Sequence, residues 1–276
     1  MKNIVLLGSN GKIGKAFFIN KKNNYNIYQD LDYKLQELLS KSFLLNNNIE
    51  FIVNCIGSTK NSSFFFHSNF FIPLSIVRSL NEFSLYYDKK ITFIHLSSIG
   101  VNDPYGRLSI SKTNLNIDQR FPFDFNKYEL SKCCADFAIR NFLANNEKVR
   151  TYIFQPSVII EKKSQFLKKV FFFLLLFPFR LSSKASPPVT KLEYLNFYFD
   201  RILEETTTKN LDENDYINTL QVYERIPLNK LFPRYKYISF LKIPINKRNL
   251  YRIIKSLPTI FPFSSFKRIL IFLSFI

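Results

Sequence analysis

The sequence predicts an α/β protein, a doubly wound parallel sheet with a small C-terminal lobe, and three observations lead there. Short runs rich in apolar residues recur at Ile4-Val-Leu-Leu7, Phe51-Ile-Val53 and Ile91-Thr-Phe-Ile-His-Leu96, the mark of strands buried in a parallel sheet. Helix-compatible stretches separate the runs, and no hairpin turn signal joins one to the next. Each run ends on small or polar residues, leaving space above the carboxyl edge of the sheet, where open α/β sheets bind ligands. With 276 residues, 46% of them hydrophobic and 22% charged, the chain can bury a sizeable core.

Taken in order, the first run passes into Gly8-Ser9-Asn10-Gly11-Lys12-Ile13-Gly14, and residues 15–21 follow as a short helix. The chain has only six glycines, and three of them fall in these seven residues. Strand, glycine turn and helix in that order let backbone approach a diphosphate seated on the helix N-terminus. The G-x-x-G-x-x-G spacing is one residue wider than the common dinucleotide fingerprint. Tyr25–Gln29 reads as the second strand, with Asp30 and Asp32 at its end. An acid there accepts both adenosine ribose hydroxyls, which favours NAD, whereas Lys12 in the loop can meet a phosphate and keeps NADP open.

Helical periodicity resumes over residues 33–45, and 51–57 forms a buried strand ending in Asn54-Cys55-Ile56-Gly57. Residues 64–83 make a long amphipathic helix bearing Asn69 among aromatics. The next strand, 91–101, delivers Ser97 and Ser98 to the carboxyl edge. Residues 102–125 are irregular and polar, as substrate-facing loops often are. Asn126 is a good helix N-cap and Glu129 closes a capping box, so a helix begins here. Tyr128, Lys132 and Asp136 are then four apart on one helix face.

That face has a chemistry. A tyrosine hydroxyl titrates near ~10 and exchanges its proton poorly at neutral pH. A lysine one helical turn away favours the phenolate electrostatically. With Ser98 holding a substrate oxygen, Tyr128 can give or take the proton as a carbonyl is made or broken and hydride passes to or from a nicotinamide.

With these residues in place, the sequence resembles the extended short-chain dehydrogenase/reductase family, the NAD-dependent epimerase/dehydratase group. The matching residues are Gly8, Gly11 and Gly14; Asn54 to Gly57; Asn69; Ser98 with Val101; Tyr128-Glu-Leu-Ser-Lys132 with Asp136; and Gln155-Pro156-Ser157-Val158, where Gln replaces the family's Arg. The resemblance implies a Rossmann-type domain over residues 1–157 and a substrate lobe over 158–276, with helix 191–204 returning to the sheet. It implies Ser98, Tyr128 and Lys132 as the catalytic group. The glycine turn, Asp30, Cys55, Ile56, Gly57, Asn69, Lys132 and Pro156 would contact NAD or NADP, and Asn69 would help position Lys132 through water. Two departures stand out: the stretch between the second strand and Phe51 is too short for the usual third strand, and the Tyr-Gly pair after the serine strand is displaced to Tyr105-Gly106.

The implied activity is that of an NAD(P)-dependent reductase or epimerase of a nucleotide-activated sugar, in surface-polysaccharide synthesis. The alternative is a cofactor-binding protein attached to a membrane surface without catalytic activity. Net charge is +18, and from Ile226 onward the chain has ten Lys and Arg residues but no acid, interleaved with Phe, Leu and Ile. That pattern suits peripheral contact with an anionic membrane, and no motif for nucleic acid accompanies it. Arg180, Lys184 and the tail cations are candidates to meet a substrate diphosphate. The run 170–179 is too short to span a bilayer and contains Pro178. Cys55, Cys133 and Cys134 have no metal-like spacing, so no metal site is expected, and a reducing cytoplasmic compartment is. His67 and His95 are read as structural. A homodimer is among the expected states.

Overall fold

A computed structural model of the chain describes residues 1–58, 66–101, 108–110, 115–117, 127–160, 165–176, 179–180, 186–205, 216–232 and 243–244. The chain begins β1 (Lys2–Leu7), α1 (Lys12–Lys21), β2 (Tyr25–Gln29), α2 (Leu35–Leu38), α3 (Lys41–Asn46) and β3 (Phe51–Asn54). It continues α4 (Ile72–Tyr86), β4 (Ile91–Leu96), β5 (Leu108–Ile110), β6 (Leu115–Ile117), α5 (Lys127–Leu143) and β7 (Val149–Pro156). Then come β8 (Val158–Ile160), α6 (Gln165–Leu176), β9 (Phe179–Arg180), β10 (Pro188–Lys191) and α7 (Leu192–Glu205). The last elements are β11 (Ile217–Val222), β12 (Glu224–Arg225), α8 (Leu228–Leu231) and β13 (Ile243–Pro244).

The main sheet has the order β11-β7-β4-β3-β1-β2, with β1, β2, β3, β4 and β7 paired in parallel. The apolar runs read from the sequence are therefore central strands, and the sheet ends at β2, without the third strand the short connection could not supply. Side chains alternate between two helical layers. Val5, Leu7, Ile52, Phe93 and Ile153 share a core with Ile76, Val77, Leu80 and Phe83 of α4 and Ile139 and Leu143 of α5. On the opposite face Phe154 meets Phe199 of α7, and Phe199 meets Phe17 of α1, with centroids 5.2 and 4.9 Å apart. Lys21 of α1 is paired with Asp200 of α7, and Lys2 donates to the Leu203 carbonyl.

Three local departures from the sequence reading have physical causes. The helix expected over 33–45 is two short helices, because the Ser40 hydroxyl accepts the Phe43 N–H at 3.2 Å and starts α3 afresh. The helix expected over 64–83 opens with a wide turn at His67–Phe71. Pro73 has no N–H for the Asn69 carbonyl four residues back, and its ring crowds that carbonyl, so the turn widens there. Third, β5 and β6 pair antiparallel between β4 and α5, a pairing that no turn signal announced.

The chain divides into two compact units, 1–119 with 127–155 and 196–221, and 120–126 with 156–195 and 222–276. In the second, β10 pairs parallel with β8 and antiparallel with β12, and the Thr190 hydroxyl accepts from Ser157 N and donates to the Val222 carbonyl. No helix among the described residues is long and apolar enough to cross a membrane. The basic tail from residue 233 lies outside the described residues apart from Ile243–Pro244, as does Lys184.

Candidate active site

The glycine turn sits at the carboxyl end of β1, where the strand order reverses between β2 and β3. Gly8 has φ +79°, and a Cβ there would lie 2.6 Å from the Cys55 carbonyl carbon, so β3 could not approach so closely beside any other residue. At Gly14 a Cβ would overlap the Gly8 carbonyl oxygen, which fixes how tightly α1 folds back on the turn. Gly11 donates to the Gly8 carbonyl at 3.0 Å and serves as the N-cap of α1. No side chain caps that helix and no acid stands in its first turn, so the N-terminal amides of Lys12, Ile13 and Gly14 suit a diphosphate.

Asp30 has a role here that the sequence did not show. Its carboxylate accepts from Gly8 N at 2.7 Å, from Ser9 N at 3.0 Å and from the Ser9 hydroxyl at 2.5 Å, tying the end of β2 to the glycine turn. Beyond it opens a cleft of about 1080 Å³ lined by Asp30, Asp32, Tyr33, Lys34, Ile56 and Phe71 among others. Asp30 links this cleft to the glycine turn. Of the cleft's lining residues, Tyr33, Lys34 and Phe71 were not singled out by the sequence as site residues, although they fall in its expected helices.

Two of the other predicted residues, Gly57 and Asn69, lie beside Lys132. A Cβ on Gly57 would stand 3.1 Å from Lys132 Nζ and 3.2 Å from Asn69 Oδ1, so these three share one small space. The Lys132 ammonium is buried and donates to the Leu96 carbonyl at 2.7 Å, at the end of β4. Asn69 is also buried; its amide accepts from Ser58 N and donates to Ser58 O, both at 2.9 Å, clamping the loop after Gly57. Ser98 accepts from Gly100 N at 3.2 Å, and a Cβ on Gly100 would sit 2.8 Å from Glu129 Cγ, so the serine turn abuts the first turn of α5. Tyr128 occupies that first turn, one helical turn before Lys132. Pro156 ends β7, is buried and belongs to the second unit.

Burial shapes the charges. It brings the Lys132 ammonium down to about 8, while Asp136 and Cys55 act in the opposite direction. It raises the Asp136 carboxyl to about 6. It pushes the Cys55 thiol up, so that thiol stays protonated. Burial thus brings both the lysine and the carboxylate within reach of neutral pH. Sequence reasoning read His95 as structural and did not foresee the polar layer it shares with Asn54, Gln155 and Asp136. Its signal was the period-two spacing of His95 and Ser97, which had no partner until the strand order placed Asn54 and Gln155 beside them.

No protein-family model matches the chain, and no curated protein matches it. Solved structures do. The chain is similar to dTDP-4-dehydrorhamnose reductase from Bacillus anthracis in complex with NADP, at 14% identity and TM-score 0.55, covering 89% of this chain and 85% of that one. It is similar to UDP-glucuronic acid 4-epimerase from Bacillus cereus in complex with NAD, at 16% identity and TM-score 0.55, covering 89% and 88%. A third likeness is to a thiolation-reductase di-domain of an archaeal non-ribosomal peptide synthetase, at 13% identity and TM-score 0.59, covering 98% and 66%. These likenesses show a shared fold, the parallel sheet flanked by helices that the sequence implied.

Proposed function

We propose that the chain is an NAD(P)-dependent enzyme acting on a nucleotide-activated sugar, as a reductase or an epimerase. The observation that carries this reading is the placement of Lys132 Nζ beside Gly57, Asn69 and the Leu96 carbonyl, one helical turn from Tyr128. The glycine turn, Cys55, Ile56 and the uncapped start of α1 fit a dinucleotide, and the cleft past Asp30 has room for its adenosine. A bound nicotinamide would supply or take the hydride.

The chain's own residues do the rest. Tyr128 passes a proton to or from the substrate oxygen, Ser98 holds that oxygen, and Lys132 lowers the tyrosine's pKa and holds the nicotinamide ribose. Asn69 keeps the loop after Gly57 in place and leaves Lys132 its buried seat. We assign the second unit, with residues 156–195 and 222–276, to the sugar nucleotide. A sugar nucleotide is favoured over other carbonyl substrates by two of the three fold neighbours described, although the third acts within a peptide synthetase.

Purified protein incubated with NADH or NADPH and a panel of nucleotide-linked 4-keto sugars tests the assignment. Cofactor oxidation that disappears in Tyr128→Phe supports it, and unchanged turnover in that variant contradicts it. Cofactor retained through purification identifies an epimerase, and freely exchanging cofactor a reductase.

A further inference from the structure

Beneath Lys132 lies a group of polar side chains that the proposed chemistry does not use. Asn54 of β3 pairs in register with His95 of β4, and Ser97 and Gln155 follow on the same face of the sheet, the one α5 covers. Asp136 meets them from α5, one turn past Lys132. Asn54, His95 and Asp136 are all 0% exposed.

The hydrogen bonds fix the histidine's tautomer. Asn54 Oδ1 accepts from Ile56 N at 3.0 Å, so the amide nitrogen is the end presented to His95 Nδ1, 3.1 Å away. Nδ1 therefore accepts, and the neutral ring carries its proton on Nε2. That nitrogen lies 4.0 Å from Asp136 Oδ1, and neither atom has another hydrogen-bond partner among the described residues. A buried donor or acceptor left unpaired is costly, and a movement of under about 1 Å would join these two.

We propose that His95 and Asp136 are positioning residues for Lys132: the His95 Nε2–H closes on Asp136 Oδ1 and keeps that carboxylate ionised, and the carboxylate keeps the Lys132 ammonium charged beside Tyr128. This rests on the roles given above to Tyr128 and Lys132. The groups facing Asp136 agree in direction. Lys132 and Arg140 flank it on α5, Gln155 of β7 donates to Oδ2 at 3.3 Å, and Ser97, just past β4, also favours the ionised form, all opposing burial. Lys132 in turn faces Asp136, Cys55 of β3 and the Leu96 carbonyl of β4. His95 is itself held neutral by burial and by Lys132, so it acts as a donor and not as a cation.

The test is an NMR titration of the full-length, cofactor-free chain that follows the Asp136 carboxyl carbon and Lys132 Nζ. His95→Leu is expected to raise the carboxyl midpoint and lower the ammonium midpoint, each by about half to one pKa unit. His95→Gln, whose amide nitrogen reaches the Nε2 position, restores most of the shift. In an Asp136→Asn background, His95→Leu moves Lys132 no further. Circular dichroism establishes which variants fold; if His95→Leu does not, His95→Asn takes its place, because its amide reaches only as far as Nδ1. Equal shifts in the Leu (or Asn) and Gln variants, no shift in a folded chain, or an undiminished effect in the Asp136→Asn background overturns the proposal. The titration needs no cofactor: expected shifts in a chain that binds neither NADH nor NADPH overturn the proposed function and uphold the couple, and cofactor binding without the shifts does the reverse.

Discussion

The glycine turn and the α5 face stand at the same edge of the sheet and are built by opposite means. The turn works through missing side chains: Gly8 and Gly14 let backbone meet backbone, and the Asp30 carboxylate ties down the Gly8 and Ser9 amides. The α5 face works through buried charge, with Lys132 and Asp136 one turn apart and both almost free of solvent. Steric error should therefore break the first, and loss of charge the second. A steric fault shows in stability and cofactor binding together, whereas a charge fault shows in turnover and its pH dependence while the fold survives.

The largest effect is expected from Lys132→Met. It removes the cation while keeping the length of the side chain, and initial rates should fall by about 10²–10⁴-fold, the range of general acid–base contributions. A loss below tenfold would place the charge-built half elsewhere. Gly14→Val comes next. Its side chain must displace the Gly8 carbonyl, costing about 1–3 kcal/mol in denaturant unfolding and abolishing fluorescence changes with NADH or NADPH.

The acid limb of stability separates the two regions further. Asp136 titrates at about 6 in the native chain against an ordinary 3.8, so the native state holds this proton more tightly than the unfolded one. Its contribution is present in full below the unfolded value and is lost as pH rises through about 6. Lys132 is the mirror case: with its pKa lowered from 10.5 to about 8, its contribution is present above the unfolded value and lost as pH falls through about 8. Asp136→Asn should flatten the stability curve on the acid side by about 1–3 kcal/mol. Urea midpoints at a series of pH values measure it, and an unchanged slope would mean that the carboxyl does not titrate there.

Asp30→Asn should have the smallest effect. One acceptor oxygen remains for the turn, and about 1–2 kcal/mol of charge-assisted bonding is lost. If cofactor binding then weakens more than stability does, Asp30 reads the ribose as well as bracing the turn.

Much of this was legible in the sequence. β2 was placed at Tyr25–Gln29 as the structure has it, because turn residues bound its short pattern on both sides. The spacing of Tyr128, Lys132 and Asp136 was legible because helix geometry alone sets it. The Asp30 bonds and the His95 layer were not, because each depends on which strands are neighbours. Asp30 meets Gly8 across 22 residues and Asn54 meets His95 across 41. Local pattern shows that a side chain is polar and buried without showing what lies across from it. The wide turn at His67–Phe71 was missed for a nearer cause, the weight given to periodicity over Pro73.

In the function proposed above, the glycine turn holds a nicotinamide dinucleotide against the Lys132 face. Equilibrium fluorescence of NADH and NADPH with the wild-type chain, Gly14→Val and Lys132→Met tests it in one experiment. Saturable binding is expected for the wild type, none for Gly14→Val, and weakened but measurable binding for Lys132→Met. A folded wild-type chain that binds neither cofactor, or a Gly14→Val chain that binds as the wild type does, would contradict it.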